Sequence, residues 1–182
     1  MDVSKSGKTA YIRKNLVTMK GEHQYKLTVQ WTGNKGTGTD SYRSYERSHI
    51  ISIEGKPDIE GSSDPAFRGD KTRHNPEEML LSALSTCHML SYLHLCAVGG
   101  VVITDYTDVA TGEMVETPDG GGHFRQVTLN PAVTVTRPEM IEKAIALHGK
   151  ASELCFIANS VNFPVHHQPT ATVSAESIRS TQ

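Results

Sequence analysis

The sequence has little excess charge, few cysteines and no metal-binding motif, and each of these absences excludes a class of protein. With 18 basic and 20 acidic residues the net charge is −2, which argues against a basic nucleic-acid groove or a polybasic membrane patch. Three cysteines are too few for the disulfide framework of a small secreted protein. Nine histidines occur without an HExxH or CxxC motif, which argues against a zinc site.

A signal sequence and a membrane span are also not expected. The first residues are polar and contain no apolar signal core, so we expect a reducing cytoplasm as the compartment. Residues 79–104 contain no Asp, Glu, Lys or Arg and are long enough to cross a bilayer. Hydroxyl and imidazole side chains interrupt this stretch, and Gly99-Gly100 breaks it, so we expect a buried helix of a globular protein. The predicted partners therefore include neither a membrane nor nucleic acid.

A chain of 182 residues fits one domain with an arm, and it can bury a core without disulfides. Residues 1–22 are basic and weakly patterned, and we expect them to form an N-terminal arm that is solvated or packs on a partner subunit. Residues 23–182 are expected to form a single domain.

The hydrophobic pattern predicts an α+β fold with a mostly antiparallel sheet. Alternating apolar residues predict strands over 25–31, 41–54 and 127–135, and a further strand precedes the turn at 118–122. A final strand is predicted over 165–173. The order of strands, long helix, strands, helix and strand is typical of α+β proteins.

The first predicted helix has strong start and stop signals. Asn75 is suited to the N-cap, Pro76 to the first helical position, and Glu78 to the partner position of a capping box. The helix is expected to run to about Ala97 and to stop at Gly99-Gly100. Because it is apolar nearly all round, we expect it to be the long buried central helix of the core.

Each predicted helix carries a cysteine in an apolar stretch. Cys87 is in the first helix, and Cys155 is in a second helix that begins near Pro138 and includes Ala158. A thiol among apolar side chains is ordinarily inert because burial raises its pKa, but two such thiols near charged residues can be a redox pair. Cys96 lies near the opposite side of the helix from Cys87, so we expect a core thiol that forms no disulfide with it.

A reactive Cys87 needs a cation nearby, because it lies too deep in its helix for the helix dipole to lower its pKa much. Arg47 is a candidate, since it shares a face of the predicted strand 41–54 with two isoleucines. An arginine aimed toward a core has to meet an anion or lie across an aromatic ring. Glu77 could hold this arginine in a bidentate pair. The alternatives are a solvated strand end for Arg47 and a helix-terminus acid for Glu77.

Several of these residues occur in a pattern that resembles a known family. The pattern comprises Asn75-Pro76-Glu77-Glu78, Cys87 ten residues after Glu77, Glu153-Leu154-Cys155, and Ala158-Asn159-Ser160. From about Tyr25 to Val173 the chain resembles the OsmC/Ohr family of osmotically inducible and organic hydroperoxide resistance proteins. The stretches 85–90 and 155–161 are similar to a general OsmC-like subgroup.

The resemblance implies a fold, an assembly and a set of site residues. It implies an OsmC-like α+β fold with a long central helix, in an intertwined homodimer whose two subunits complete each active site. Cys87 matches the peroxidatic cysteine, Cys155 the resolving cysteine, and Glu77 the active-site glutamate. Arg47 fits the arginine pattern of the subgroup, with Arg68 as the second candidate. No cofactor is implied, because an external dithiol such as dihydrolipoamide reduces the disulfide.

The resulting expectation is a cysteine-based peroxidase that reduces organic hydroperoxides to alcohols. Apolar residues near the thiol, among them Met79, Ala83, Leu84 and Leu90, favour bulky alkyl or lipid hydroperoxides over hydrogen peroxide. One alternative is a non-catalytic OsmC-like binding or stress protein with structural thiols. Another is a hydrolase or acyl transferase built on Cys87 and His148, for which the sequence offers no oxyanion-loop signature.

Overall fold

The computed structural model describes residues 21–174, so most of the predicted N-terminal arm lies outside the described residues. Two helices and nine strands form the described part. The helices are α1 (Pro76–Gly99) and α2 (Ile141–Leu154), and the strands are β1 (Thr28–Trp31), β2 (His49–Ser52), β3 (Ile59–Gly61), β4 (Ile103–Asp108), β5 (Thr111–Glu116), β6 (Gly122–Leu129), β7 (Pro131–Val135), β8 (Val165–His167) and β9 (Thr170–Val173). Short 3₁₀ helices span Pro65–Phe67, Pro138–Met140 and Ala158–Ser160.

The strands form three three-stranded sheets, in the orders β1-β2-β3, β4-β7-β9 and β5-β6-β8. The pairs β6-β8 and β7-β9 are parallel and the other four pairs are antiparallel. The α+β class with mostly antiparallel pairing, predicted from the sequence, is therefore confirmed.

The ends of α1 lie where the local sequence places them. The Asn75 side chain accepts from the Glu78 N–H at 2.8 Å, and the Glu78 carboxylate accepts from the Asn75 N–H at 3.2 Å, which completes the capping box. Gly100 ends the helix in the left-handed conformation, with φ at 72°. Both ends depend on contacts within a few residues, and this is why the sequence predicts them.

One stripe of α1 enters the core. Leu84, His88, Tyr92 and Cys96 recur every four residues and are almost completely buried. The burial of α1 on all sides, predicted from its composition, is wrong for the single chain, because Leu90 is 64% exposed. Among the described residues, α1 alone is long and apolar enough to cross a membrane, a criterion that core helices of soluble proteins also meet.

The second helix is shorter than its apolar spacing predicts. It ends at Leu154, and Cys155 occupies the C-cap with an extended backbone. The Asn159 side chain donates to the Glu153 carbonyl at 2.9 Å and so takes up one of the free carbonyls of the last turn. The prediction that the helix continues through Ala158 is therefore wrong.

The predicted strand 41–54 is mostly a loop that precedes β2. The Glu46 N–H donates to the Gly33 carbonyl at 2.8 Å, and the Trp31 indole N–H donates to the Glu46 carbonyl at 2.8 Å. A Cβ at Gly33 would collide with the Glu46 carbonyl, so the close approach requires glycine. The loop is fixed by these contacts across the chain, which a periodic pattern does not reveal.

Two other predicted strands are each divided in two. The run over 127–135 is interrupted at Asn130, whose N–H donates to the Asp108 carboxylate at 2.7 Å instead of joining the ladder. Residues before Asn130 belong to one sheet and those after it to another. The run over 165–173 is likewise divided between β8 and β9.

Candidate active site

Cys87 lies on a second face of α1, turned away from the core stripe. Ala83, Cys87, Leu90 and His94 follow the spacing i, i+4, i+7 and i+11, which aligns side chains along one helix face. All four line a cleft of about 1190 Å³, and Cys87 itself is half-buried. The helix therefore presents one thiol to an open cleft and packs its other stripe in the core.

Residues from three parts of the chain form the walls of this cleft. They are Ala83, Thr86, Cys87, Leu90, Ser91 and His94 of α1; Leu154, Phe156, Ile157 and Ser160 at and after the end of α2; and Tyr25, Ile53 and Lys56 from the segments that flank β1 and β2. Most of these side chains are apolar. None of them carries a carboxylate, and Lys56 is the one lysine or arginine of the lining.

The apolar residues named from the sequence divide between three places. Ala83 and Leu90 line the cleft, as expected of residues near the thiol. Leu84 faces the core, and Met79 lines a separate groove beside β3. The difference follows from the helix, since neighbouring positions point about 100° apart.

Cys155 is completely buried and lies against Cys87. Its thiol is close enough to the Cys87 thiol for the two to interact, and its sulfur accepts from the Ala158 N–H at 3.4 Å. Burial, together with the hydrogen bond to Cys87, raises the pKa of the Cys155 thiol to about 11. Both cysteines are free thiols. The structure thus brings together one accessible thiol and one buried thiol that stays protonated at neutral pH.

Cys96 lies in the core, as its position on the helix predicts. It is 1% exposed, and burial raises the pKa of its thiol. It belongs to the core stripe of α1 and does not line the cleft.

Arg47 lies outside the cleft lining of its own chain. Its guanidinium is sandwiched between Tyr42 and Tyr45, 4.3 Å from each ring centroid, and donates to the Tyr45 carbonyl at 2.7 Å and the Tyr42 carbonyl at 2.9 Å. The strand-face argument for Arg47 is wrong, because the residue precedes β2. A partly buried arginine needs either an anion or an aromatic ring beside it, and Arg47 has the aromatic rings.

Glu77 also lies outside this cleft. It is in the first turn of α1, ten residues and about 15 Å along the axis from Cys87. It lines a separate cavity of about 280 Å³ with Phe67 and Phe124. One of its carboxylate oxygens is buried without a hydrogen-bond partner among the described residues. Arg68, the second arginine candidate, is exposed in a left-handed conformation after the 3₁₀ helix Pro65–Phe67.

Comparison with known proteins now identifies the family. A family model described as OsmC-like protein matches residues 69–169. The chain belongs to the OsmC-like family. No curated protein sequence matches it significantly. The matched residues include both α1 with Cys87 and the segment with Cys155, and the family predicted from the sequence is confirmed.

Solved structures share the OsmC fold with this chain. An OsmC-like protein of unknown function from Vibrio cholerae is 28% identical, with a TM-score of 0.72 over 81% of this chain and 99% of that chain. An organic hydroperoxide resistance protein from Elizabethkingia anophelis is 17% identical, with a TM-score of 0.59 over 86% and 99% of the two chains. An organic hydroperoxide resistance protein OsmC from Legionella pneumophila is also 17% identical, with a TM-score of 0.55 over 85% and 100%.

His148 is not placed to act as a base for Cys87 in this OsmC-like chain. It is wholly buried, its Nδ1 lies 3.0 Å from Nε2 of His88, and its ring stacks on Tyr92 with centroids 3.8 Å apart. The hydrolase alternative therefore lacks support, since the imidazole lies in the core and not in the cleft. The sequence analysis missed this pair, although His88 falls on the core stripe of α1.

Burial keeps both imidazoles neutral. The pKa of His88 is lowered to about 4 and that of His148 to about 3, chiefly by burial, with smaller contributions from His167 to both and from His88 to His148. Asp108 acts in the opposite direction on His88, but with a smaller effect. Because the two histidines are neutral when buried and can be protonated when unfolded, the free energy of unfolding depends on pH.

The histidine pair predicts a loss of stability in acid. Above pH 7 the pair is neutral in both the folded and the unfolded chain, so it contributes no pH dependence. Below the ordinary histidine pKa of 6.5, the unfolded chain binds protons at these histidines and the folded chain does not. The free energy of unfolding therefore falls as the pH decreases, until the pH reaches the lowered pKa values of the folded chain. We expect a loss on the order of 2 kcal/mol per histidine between pH 7 and pH 4, measured by urea unfolding.

The control is a double variant in which His88 and His148 are both replaced by leucine, so that neither partner is left unpaired. Its unfolding free energy should depend much less on pH over this range than that of the parent. His123→Gln changes an exposed histidine of β6 and should leave the profile unchanged. An equally steep acid profile in the double variant would show that other groups cause the loss.

Proposed function

We propose that this OsmC-like protein is a thiol-dependent peroxidase that reduces organic hydroperoxides to alcohols. The observation that carries the proposal is the contact between Cys87 and Cys155 at the wall of an apolar cleft. The family supports it, because some structures with this fold are described as organic hydroperoxide resistance proteins. An external dithiol, such as dihydrolipoamide, completes the cycle.

The difference in burial supports distinct roles for the two sulfurs. The half-buried Cys87 is open to the cleft, and its thiolate attacks the distal oxygen of the hydroperoxide. The O–O bond breaks, Cys87 becomes a sulfenic acid, and the alkoxide leaves with a proton as the alcohol. The sulfur of Cys155 then attacks the sulfenic sulfur, which forms the disulfide and releases water. The dithiol returns two electrons and two protons and is itself oxidised to a disulfide.

A second copy of the chain is part of the proposal. The cleft walls include Tyr25, Leu90 and Phe156, which are 92%, 64% and 77% exposed in the single chain. Large apolar side chains clustered at this exposure favour an interface. We therefore propose a homodimer in which Arg47 and Glu77 of one subunit support the Cys87 thiolate of the other. A particle mass of one chain in light scattering would count against it.

The disulfide provides the direct test of the proposed chemistry. One equivalent of cumene hydroperoxide added to the reduced protein should consume two thiols per chain and lower the mass by two hydrogens. Peptide mapping should place the new bond between Cys87 and Cys155, with Cys96 still alkylatable after denaturation. The two thiols are neighbours that interact in the reduced protein, which favours this pairing over one with Cys96. If both thiols survive excess hydroperoxide, the fold serves a purpose other than peroxide reduction.

A further inference from the structure

The chain leaves α2 in a way that frees two backbone donors from the helix. In a continued helix, the N–H groups of Ile157 and Ala158 would each donate to the carbonyl four residues earlier, which is that of Glu153 for Ile157. The helix instead ends before Cys155, whose backbone is extended with φ at −71° and ψ at 109°. The Glu153 carbonyl accepts from the Asn159 side chain at 2.9 Å, so a side chain replaces the helical donor there.

Both freed donors lie at the sulfur of Cys155. The Ala158 N–H donates to it at 3.4 Å, and the Ile157 N–H also interacts with it. Burial and the neighbouring Cys87 raise the pKa of the Cys155 thiol, and the two N–H groups act in the opposite direction. These N–H groups therefore favour the thiolate, which is the nucleophilic form of the sulfur.

Asn159 holds this arrangement from both sides of Cys155. Its side chain donates to the Glu153 carbonyl, and its own N–H donates to the Cys155 carbonyl at 3.0 Å. Without the side chain, the Glu153 carbonyl is free to accept from the Ile157 N–H, as in a continued helix. The apolar spacing through Ala158 favours that continuation. Continuation would remove an N–H group from the Cys155 sulfur and rotate its side chain with the helix.

We propose that Asn159 is a positioning residue that holds the Cys155 sulfur ready to attack the sulfenic acid of Cys87. The inference rests on the proposed peroxidase function and deepens its second step. In that step the Cys155 thiolate forms the S–S bond and the S–O bond of the sulfenic acid breaks. The hydroxide leaves as water, with the proton that the Cys155 thiol released. The hydrogen bond of the Asn159 side chain goes to the Glu153 carbonyl, so Asn159 acts on the sulfur through the backbone.

Two variants remove the donor, and a third provides the matched control. Asn159→Asp keeps the size of the side chain, but its ionised carboxylate cannot donate to a carbonyl, and Asn159→Ala removes the side chain. Asn159 is exposed, so both variants should fold. Asn162→Asp makes the same change at an exposed asparagine whose side chain makes no hydrogen bond within residues 21–174. An effect in Asn159→Asp alone would come from its charge and would count against the proposal.

The first measurement is the rate at which the disulfide forms. One equivalent of cumene hydroperoxide is mixed with the reduced protein, and acid-quenched samples are analysed by mass spectrometry for sulfenic acid and disulfide over time. The rate constant for the conversion of sulfenic acid to disulfide should fall about three- to tenfold in Asn159→Asp and Asn159→Ala, the size of one side-chain hydrogen bond. It should be unchanged in Asn162→Asp. The rate at which Cys87 consumes the hydroperoxide should be the same in all four proteins, because only the second step is altered.

The second measurement tests the inference apart from peroxide chemistry. Each protein is equilibrated with mixtures of reduced and oxidised dithiothreitol, quenched in acid and alkylated, and the disulfide between Cys87 and Cys155 is quantified by peptide mapping. In both Asn159 variants the equilibrium constant for the disulfide should fall about three- to tenfold, because the reduced chain can then adopt the continued helix. A merely structural role would lower the free energy of unfolding of both redox forms and leave this constant unchanged.

The two measurements separate the role of Asn159 from the peroxidase function. A parental rate of disulfide formation or a parental equilibrium constant in both Asn159 variants would overturn the positioning role. A shifted equilibrium in a protein that reduces no hydroperoxide would instead overturn the peroxidase function, and the role of Asn159 in holding Cys155 against Cys87 would stand.

Discussion

Replacing Cys87 with serine is expected to abolish the turnover of organic hydroperoxides, with a loss of at least ~10³-fold in kcat/KM. A serine hydroxyl ionises far less readily than a thiol and forms no sulfenic acid, so neither half of the cycle proceeds. The change is nearly isosteric at a half-buried position and should leave the fold intact. The measurement is the consumption of cumene hydroperoxide with a dithiol in excess.

The matched control is Cys96→Ala, which alters the other cysteine of α1. Cys96 is buried in the core stripe and does not line the cleft, so this variant should lower stability and not the specific activity of the folded protein. Undiminished turnover in Cys87→Ser would remove the proposed mechanism. Equal losses in the two variants would indicate damage to the helix and not to the chemistry.

Replacing Cys155 with serine is expected to stop the reaction halfway. Cys87 should still reduce one equivalent of hydroperoxide, and its sulfenic acid should then persist long enough to be labelled by dimedone. Steady-state turnover should fall by at least ~10²-fold at millimolar dithiol, because an external thiol replaces a sulfur already in contact with Cys87. Prolonged exposure should oxidise Cys87 further, to the sulfinic acid.

This variant also separates the candidate functions. Serine keeps an acceptor for the Ala158 N–H, so the local backbone should be retained. A hydrolase or acyl transferase that used Cys87 alone would be indifferent to the loss of Cys155. A binding protein with structural thiols would yield no dimedone adduct in either the parent or the variant. A persistent adduct in Cys155→Ser, absent from the parent, is the result that the disulfide mechanism requires.

Predictions from the sequence succeeded where neighbouring residues decide the structure. The start of α1 depends on Asn75 and Glu78, three residues apart, and its end depends on Gly100. Predictions failed where a side chain takes up a backbone group outside the regular ladder. Asn159 does so at the end of α2, six residues from Glu153. Asp108 withdraws the N–H of Asn130 from the ladder and so divides a predicted strand.

The candidate site was predictable in part, for the same reason. His94 follows Cys87 by seven residues, so its place on the cleft face follows from helix geometry alone. Lys56 and Phe156 come from separate segments that meet only in the folded chain. Arg47 was assigned by alternation along a regular strand, whereas its position depends on the rings of Tyr42 and Tyr45 in a loop.

By itself, the sequence determined the family, the α+β class and the two cysteines to examine. These are properties of residue types at short spacing, where helical and strand periodicity and capping act locally. Only the tertiary structure decided that Cys155 lies against Cys87, that His148 belongs to the core, and that a lone lysine shares the cleft of the thiol. Such relations depend on how segments more than 30 residues apart in the sequence pack together, and packing is a property of the whole chain.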